Sequence, residues 1–265
     1  MRGYGERRPA AAVVLAGGRS SRMGRPKAEL DWHGSALLTR IVALLARAVD
    51  GPLVVVRAAG QALPALPPGT LVREDPVPGL GPLPAVGVGL AAVPGHPAAF
   101  VASTDLPLLH PAFAARMLDR LDADTDVVLP VAHGHHQPLA AAYRTALAGP
   151  IADLTAAGRG RPPSLFAGVR TRRVTEDELR ADPVLARLDP RLDSLTNVNT
   201  PAEYAAALAR PLPAVTLHDT TGTRVVRAAT AGRLPGPVRP VGPAPGGELP
   251  GWFPLVPGDE VVATG

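Results

Sequence analysis

The chain has 265 residues, of which 46% are hydrophobic and 3% aromatic, and its formal net charge is +4. This length suits one α/β domain, or one domain with an appendage, around a core of Ala, Val and Leu. No cysteine is present, which excludes disulfides, thiolate nucleophiles and cysteine-based metal sites. The basic residues are scattered among few aromatics, so the charge suits small anions rather than nucleic acid.

We expect a cytoplasmic protein, which the absence of cysteine fits, and we interpret the apolar run near the N-terminus as the first strand and not as a signal peptide. We expect residues 1–9 to form a disordered basic leader. The apolar run that follows is short and ends in Gly17-Gly18-Arg19 rather than in a signal-peptide cleavage site. No stretch is long and apolar enough to span a membrane, so we expect no membrane partner.

A glycine-rich, basic loop directly follows the first predicted strand, residues 11–16. Gly17 and Gly18 let backbone N–H groups turn toward an anion and let the anion approach closely. Lys27 is the only lysine of the chain. Because every other basic position except the histidines is Arg, we favour the interpretation that this position requires a compact ammonium over the alternative that the lysine occurs there by chance. The loop carries four basic residues: Arg19, Arg22, Arg25 and Lys27.

Strands and helices alternate after this loop. The predicted strands are residues 53–56, 70–72, 98–102, 126–131 and 139–143, and residues 133–136 are a predicted loop. The predicted helices are 35–49 with Ser35 as N-cap, 86–93 packed closely on the sheet, 111–121, a segment ending at 156, and 201–210. This alternation predicts an α/β, Rossmann-like fold with a mostly parallel sheet and helices on both faces.

The composition changes near residue 211, where about a third of the remaining residues are Pro or Gly. Strand-like fragments lie at 215–218, 224–228 and 253–262. We therefore predict a domain at residues 10–210 and a Pro/Gly-rich extension at 211–265, either a small β appendage or a partly disordered arm. We expect residues 1–210 to fold and to bind nucleotide without the extension.

Two aspartates follow predicted strands at the edge where open parallel sheets bind ligands. A carboxylate beside a basic phosphate loop is explained by Mg²⁺, which prefers one or two carboxylates together with phosphate oxygens. Asp105 is our predicted Mg²⁺ ligand, with a turn or cap role as the alternative, and Asp75 is either a nucleotide contact or a surface turn residue.

The segment from Leu15 to Lys27, LAGGRSSRMGRPK, resembles the signature loop of nucleotidyltransferases that join an NTP to a phosphorylated acceptor. It is most similar to the molybdenum cofactor guanylyltransferases, the MobA-like NTP transferases. Three further stretches match this family: Gly81-Pro82-Leu83, Asp105-Leu106-Pro107-Leu108-Leu109 and Asn197-Val198-Asn199-Thr200-Pro201. The resemblance covers about residues 10–210 and implies the nucleotidyltransferase fold.

The resemblance implies transfer of GMP from GTP to the phosphate of molybdopterin, with Mg²⁺ as cofactor and Asp105 as its ligand. It implies catalytic roles for Lys27, Arg22 and Asp105, and acceptor contacts for Gln137, Asn197 and Asn199. The implied nucleotide-binding residues are Leu15, Ala16, Gly17, Gly18, Lys27, Asp75 and Asp105. The chain departs from the family pattern at Arg57, where an asparagine is usual, and at Pro84-Ala85, where Ala-Gly is usual.

Several alternatives stay open at this point. The same chemistry fits cytidylyl transfer to molybdopterin or NTP transfer to another phosphorylated acceptor. A nucleotide- or cofactor-binding module without turnover is a rival of another class, with the extension docking a molybdoenzyme or another cofactor-synthesis protein. His133, His135 and His136 favour a polar or acceptor-side loop over a zinc site. Thr200 and Glu203 predict a capping box.

Overall fold

An eight-stranded sheet forms the centre of the molecule. The computed structural model describes residues 6–17, 23–24, 26–241 and 247–264. The strands in chain order are β1 (Ala11–Leu15), β2 (Asp31–Trp32), β3 (Ser35–Ala36), β4 (Leu53–Arg57), β5 (Leu71–Glu74), β6 (Ala98–Ser103), β7 (Val127–Ala132), β8 (His135–His136), β9 (Ala140–Arg144), β10 (Thr171–Thr175), β11 (Ala214–Asp219), β12 (Gly222–Arg227), β13 (Val238–Pro240) and β14 (Glu260–Ala263). The central order is β10-β7-β9-β6-β1-β4-β5, with β8 paired to β7.

The central sheet is mostly parallel, as predicted. β1 runs parallel to β4 and β6, and β4 runs parallel to β5, whereas β9 is antiparallel to β6 and β7. In this register Leu15 lies beside Val56 on one side and Ser103 on the other. The carboxyl ends of β1, β4 and β6 therefore meet at one edge, where the predicted ligand residues follow them.

Helices cover both faces of the sheet, which confirms the predicted fold class. They are α1 (Leu37–Leu45), α2 (Leu83–Ala91), α3 (Pro111–Leu118), α4 (Ala148–Ala156), α5 (Pro162–Phe166), α6 (Glu176–Arg180), α7 (Pro183–Leu188) and α8 (Pro201–Leu208). Alternate residues of β1 face opposite cores, because successive side chains of a strand point to opposite sides. Val14 joins the core beneath α1 and α3, and Val13 joins the core beneath α2 and α4.

Two short hairpins correct the predicted boundaries. Residues 35 and 36 pair with β2 instead of starting a helix, and Ser35 makes no side-chain cap to α1. His33 and Gly34 both have positive φ, which closes a tight two-residue turn. His133 and Gly134 repeat this geometry, so residues 135–136 of the predicted loop form a strand.

Helix α2 packs closely through two glycines, Gly89 against the sheet, as the sequence predicts, and Gly87 against α4. A Cβ on Gly89 would meet Val13 Cγ1 at 2.3 Å, and one on Gly87 would meet Ile151 Cγ2 at 2.6 Å. Neither position has room for a methyl group, so the close approach of α2 to β1 and to α4 requires glycine.

Arg8 corrects the expectation of a disordered leader over residues 1–9. Its guanidinium donates to both carboxylate oxygens of Asp119 at 2.8 and 2.7 Å, and its backbone pairs with Val49. Arg8 is 4% exposed, and such a buried cation needs this carboxylate. Residues 1–5 lie outside the described part of the chain.

Residues 214–263 contain a second sheet, ordered β12-β11-β14-β13. Its apolar cluster is separate from the two cores of the central sheet and includes Leu217, Val238 and Leu255. Of the two forms considered for the extension, the structure has the small β appendage. That residues 10–210 form a domain of their own stays a prediction.

The C-terminal sheet lies against α1 and α3 through buried polar side chains. Arg47 forms an ion pair with Asp259, and its Nη1 also donates to Pro254 O at 3.4 Å. Arg40 Nη1 donates to Ala229 O at 3.3 Å, and His110 Nε2 lies 3.0 Å from Pro257 O. No helix of the described residues combines the length and apolar character that crossing a membrane requires.

Candidate active site

A cleft of about 560 Å³ opens at the carboxyl edge of the central sheet. The ends of β1, β4 and β6, the glycine turn before α2 and the segment before α8 surround it. Of the predicted nucleotide-binding residues, six line this cleft: Leu15, Ala16, Gly17, Lys27, Asp75 and Asp105. Asn199, predicted on the acceptor side, also lines it. Gly18 and Arg22 lie outside the described residues.

Lys27 is the centre of a polar triad inside the cleft. Its Nζ donates to Asp105 Oδ1 at 2.6 Å and to Asn199 Oδ1 at 3.0 Å. The side chains of Lys27 and Asp105 are 13% and 30% exposed, so the pair is shielded from bulk water yet open toward the cleft. A compact ammonium suits this position, because one nitrogen donates to two oxygens on different segments.

The loop after β6 brings Asp105 to the triad. Thr104 N donates to Leu15 O at 3.3 Å, which fastens this loop to the start of the glycine-rich segment. Val198 N donates to Asp105 O at 2.9 Å. The Asn197–Asn199 stretch is therefore bonded directly to the loop that carries Asp105, and the two sequence motifs form one structure.

The capping box predicted before α8 is present and orients Asn199. Thr200 Oγ1 accepts from Glu203 N at 3.2 Å, and Glu203 Oε2 accepts from the backbone N–H groups of Thr200 and Asn199. The N-terminus of the helix thus fixes the backbone that aims the Asn199 amide at Lys27.

Gln137 and Asn197, predicted as acceptor contacts, lie next to each other. Asn197 Nδ2 donates to Gln137 Oε1 at 3.3 Å, and Gln137 Nε2 donates to Ala132 O at 3.2 Å. The neighbouring Leu139 lines the cleft. These two amides therefore stand beside the cleft, while Asn199 reaches into it.

Asp75 holds a turn at the opposite wall of the cleft. Its Oδ1 accepts from Val77 N at 3.1 Å, and its backbone N–H donates to Arg57 O at 2.8 Å. Asp75 is therefore a turn residue and also lines the cleft. Arg57, which replaces a family asparagine, instead directs its guanidinium to Glu74 Oε1 and Gln61 O, both at 2.9 Å.

The Gly81-Pro82-Leu83 turn packs against a segment that our sequence analysis did not connect to the site. Gly81 has φ +119°, and a Cβ there would lie 2.6 Å from Gly160 O. Leu83 N donates to the same carbonyl at 3.1 Å. Pro84 falls in the first turn of α2, where its missing N–H costs no hydrogen bond, so the departure at Pro84-Ala85 preserves the turn.

Gln61 is a second residue that the sequence interpretation missed. Its Nε2 donates to Ala16 O at 3.0 Å, and its Oε1 accepts from Ala58 N at 3.0 Å. It thereby braces two backbone segments that line the cleft. Its only signal in the sequence was a polar side chain among the Pro and Ala residues after β4.

The oxygen atoms of the cleft are chemically suited to a divalent cation. Asp105 uses Oδ1 for Lys27, and no described residue donates to its Oδ2. One carboxylate, an amide oxygen and substrate phosphates match the way in which Mg²⁺ is usually held. The described residues contain no group of three or more His, Asp or Glu side chains that could hold a metal without such a substrate.

Comparison with known proteins finds similar chains over most of the molecule. A family model described as a MobA-like NTP transferase domain matches residues 12–174. A Mycobacterium tuberculosis protein named "Probable molybdenum cofactor guanylyltransferase" is 41% identical over 205 residues, spanning 76% of this chain and 94% of that protein. A Mycobacterium avium protein of the same name is 38% identical, spanning 74% of this chain and 93% of its own.

Solved structures show the same fold. Molybdopterin-guanine dinucleotide biosynthesis protein A from Archaeoglobus fulgidus aligns with a TM-score of 0.58 and 21% identity, over 74% of this chain and 96% of that one. The 2-C-methyl-D-erythritol 4-phosphate cytidylyltransferase from Thermus thermophilus aligns with a TM-score of 0.53 and 20% identity, over 76% and 98%.

Proposed function

Because the chain belongs to the MobA-like NTP transferase family, we propose that it transfers GMP from GTP to the terminal phosphate of molybdopterin. The observation that carries this proposal is the triad of Lys27, Asp105 and Asn199. It places an ammonium, a carboxylate and an amide from three distant motifs at one point of the cleft.

The reaction needs no nucleophile from the protein. An oxygen of the acceptor phosphate attacks the α-phosphorus of GTP in line, and the bond between this phosphorus and the bridging oxygen to the β-phosphorus breaks. The electron pair of that bond leaves with pyrophosphate, and the product is the dinucleotide of molybdopterin and GMP. Catalysis then consists of positioning the two phosphates and neutralising their charge.

Lys27 supplies the positive charge in this proposal. Without nucleotide its ammonium donates to Asp105 and Asn199. When the triphosphate enters, the ammonium turns toward its phosphate oxygens, which together carry more negative charge than the single Asp105 carboxylate and accept charge-assisted hydrogen bonds. This exchange releases Asp105 Oδ1 at the moment when the nucleotide is bound.

Asp105 is the residue we propose to hold Mg²⁺, together with the triphosphate. When bound, Mg²⁺ supplies a Lewis acid that neutralises charge on the reacting phosphoryl oxygens. The loop of Asp105 is fastened at Leu15 O and at Val198 N, so the carboxylate is oriented before substrate arrives.

The acceptor enters in our proposal from the side of Gln137 and Asn197. Their amides offer both donors and acceptors beside the cleft, and Asn199 extends this polar strip to Lys27. A phosphorylated acceptor lying along the strip brings its phosphate to the same point as the α-phosphate of the nucleotide.

Pyrophosphate release measured with Mg²⁺, molybdopterin and each of GTP, CTP, ATP and UTP tests the proposal. We expect release that depends on GTP and on molybdopterin, with a product whose mass equals that of molybdopterin plus GMP minus one water. Faster turnover with CTP would make the protein a cytidylyltransferase. Nucleotide binding without release in any combination would favour the binding module.

A further inference from the structure

Two buried side chains connect the C-terminal sheet to the loop that carries Asp105. The first is Arg40 of α1, whose Nε donates to Pro107 O at 3.0 Å and whose Nη1 donates to Ala229 O at 3.3 Å. Pro107 belongs to the Asp105 loop and Ala229 to the C-terminal segment. A single guanidinium therefore bridges both.

The surroundings of Arg40 are costly for a charge. The residue is 3% exposed and lies under the Trp32 ring, and no carboxylate of the described residues pairs with it. Burial lowers the pKa of Arg40 to about 10, so it still carries its charge at neutral pH. Its hydrogen bonds to Pro107 O and Ala229 O stabilise this cation, because a buried charge without partners is strongly unfavourable.

His110 forms the second connection, at the far end of the same loop. Its Nδ1 accepts from Ala112 N at 3.1 Å, and burial lowers its pKa to about 4. The ring is thus neutral at pH 7, and with Nδ1 accepting, the proton lies on Nε2 and is donated to Pro257 O at 3.0 Å. The loop from residue 105 to 110 is therefore connected to the C-terminal segment at Pro107, through Arg40, and at His110.

The C-terminal segment lies beyond the residues that the family model matches. The Mycobacterium tuberculosis protein is covered over 94% of its length, whereas about a quarter of this chain has no counterpart in it. The family model ends at residue 174. The two bridges therefore join residues of the matched domain, Arg40 and His110, to a segment that lies outside it.

We propose that Arg40 and His110 are positioning residues through which the C-terminal sheet sets the place of Asp105 for the transfer reaction. This inference rests on the proposed function, since it assigns Asp105 a role in turnover. Neither residue lines the cleft, so both act through the loop and not on substrate.

The test compares Arg40→Lys with Arg47→Gln in the full-length protein. Lysine keeps the charge, but it replaces the planar fork, whose separate Nε and Nη1 atoms hold Pro107 O and Ala229 O, by a single nitrogen with a different reach. It therefore does not reproduce both bonds in their present geometry. Arg47 also joins the end of α1 to the C-terminal segment, but its bonds to Asp259 and Pro254 do not involve the Asp105 loop. It is therefore a matched control for a loss of docking alone.

We expect kcat to fall roughly 10- to 100-fold in Arg40→Lys with KM for GTP changed less than about threefold, because small misplacements of a catalytic group cost this much. Hydrogen exchange of residues 103–110 should be faster than in the wild type. In Arg47→Gln we expect kcat and this exchange to match the wild type, with only thermal stability reduced.

Equal kcat and equal exchange in Arg40→Lys and the wild type would overturn the proposal, and so would the same losses in both variants. If Arg40→Lys does not fold, His110→Gln and His110→Leu decide instead: the glutamine amide can replace Nε2 and should restore kcat, whereas leucine should not. An inactive wild type refutes the proposed function, while the exchange comparison still tests the connection.

Discussion

Replacement of Lys27 by alanine is the sharpest test of the triad. The Lys27 ammonium is the group in which the glycine-rich segment, Asp105 and Asn199 meet, with donor–acceptor distances of 2.6 and 3.0 Å. Lys27→Ala removes this charge and leaves the other two side chains in place. We expect it to abolish charge stabilisation of the triphosphate while the fold persists.

The structure sets the size of both effects. The Asp105 side chain is 30% exposed and can be hydrated when Lys27 is removed. The free energy of unfolding should therefore fall by only about 1 kcal/mol, as for partly exposed ion pairs. Turnover should suffer far more. Removal of one preorganised donor from a transition state costs about 3–4 kcal/mol, which corresponds to roughly 10²–10³-fold in kcat.

Steady-state pyrophosphate release with saturating GTP, molybdopterin and Mg²⁺ measures this loss, and urea unfolding measures stability. Lys27→Arg is the matched control, because it restores the charge as a larger planar group. We expect activity in the order wild type, Lys27→Arg, Lys27→Ala. If Lys27→Ala turns over within about threefold of the wild type, the ammonium has no part in catalysis and the reasoning fails.

Three further predictions concern the metal ligand, the packing of α2 and a buried histidine. Asp105→Asn keeps the shape of the side chain but removes the charge that Mg²⁺ needs. The free energy of unfolding should be nearly unchanged, while Mg²⁺-dependent pyrophosphate release should be lost. An active variant would show that Asp105 is only a turn residue. Gly89→Ala should lower the free energy of unfolding by about 1–3 kcal/mol, because its methyl group meets Val13, whereas Gly95→Ala, which has nothing within 4 Å, should not. Burial lowers the pKa of His110 to about 4, so as pH falls this histidine is protonated in the unfolded chain before it is protonated in the folded protein. Acidification from pH 7 to 5 should therefore destabilise the wild type by about 2 kcal/mol relative to His110→Gln. Arg40 and Arg47 oppose the protonation of His110 and Asp259 favours it, and a stability difference that is the same at both pH values would contradict this assignment.

The sequence predicted those parts of the site that local rules determine. A buried strand followed by glycines predicts an anion-binding segment, and the ends of parallel strands place Asp75 and Asp105 at its edge. Thr200 and Glu203 predict the capping box from spacing alone. The structure has these residues around one cleft, which the rule for ligand sites in open sheets anticipates.

Which side chains form hydrogen bonds with one another could not be predicted in the same way. The pairing of Lys27 with both Asp105 and Asn199 joins positions that are 78 and 172 residues apart, and it depends on how three loops pack. Arg57 shows the converse case. It stands at the end of β4 where the family has an asparagine, and Glu74 on the neighbouring strand and the carbonyl of Gln61 hold its guanidinium.

Helix α1 shows why the role of the extension was missed, and what signal was present. By spacing, Leu37, Leu38, Ile41, Leu44 and Leu45 predict one apolar stripe, which leaves Thr39 and Arg40 to face water. In the structure all nine residues of α1 are buried. Thr39 donates to Ala65 O at 2.7 Å, and Arg40 is covered by the C-terminal segment.

A short surface helix with this sequence would expose its polar side, so burial on all sides requires something beyond the sheet to cover it. The 55 residues after position 210 are rich in Pro and Gly, and only separate strand-like fragments are predicted among them. Their composition therefore indicated an appendage but did not indicate that it covers α1. Since Arg40 reaches the Asp105 loop from beneath that layer, the extension is placed to affect turnover without lining the cleft.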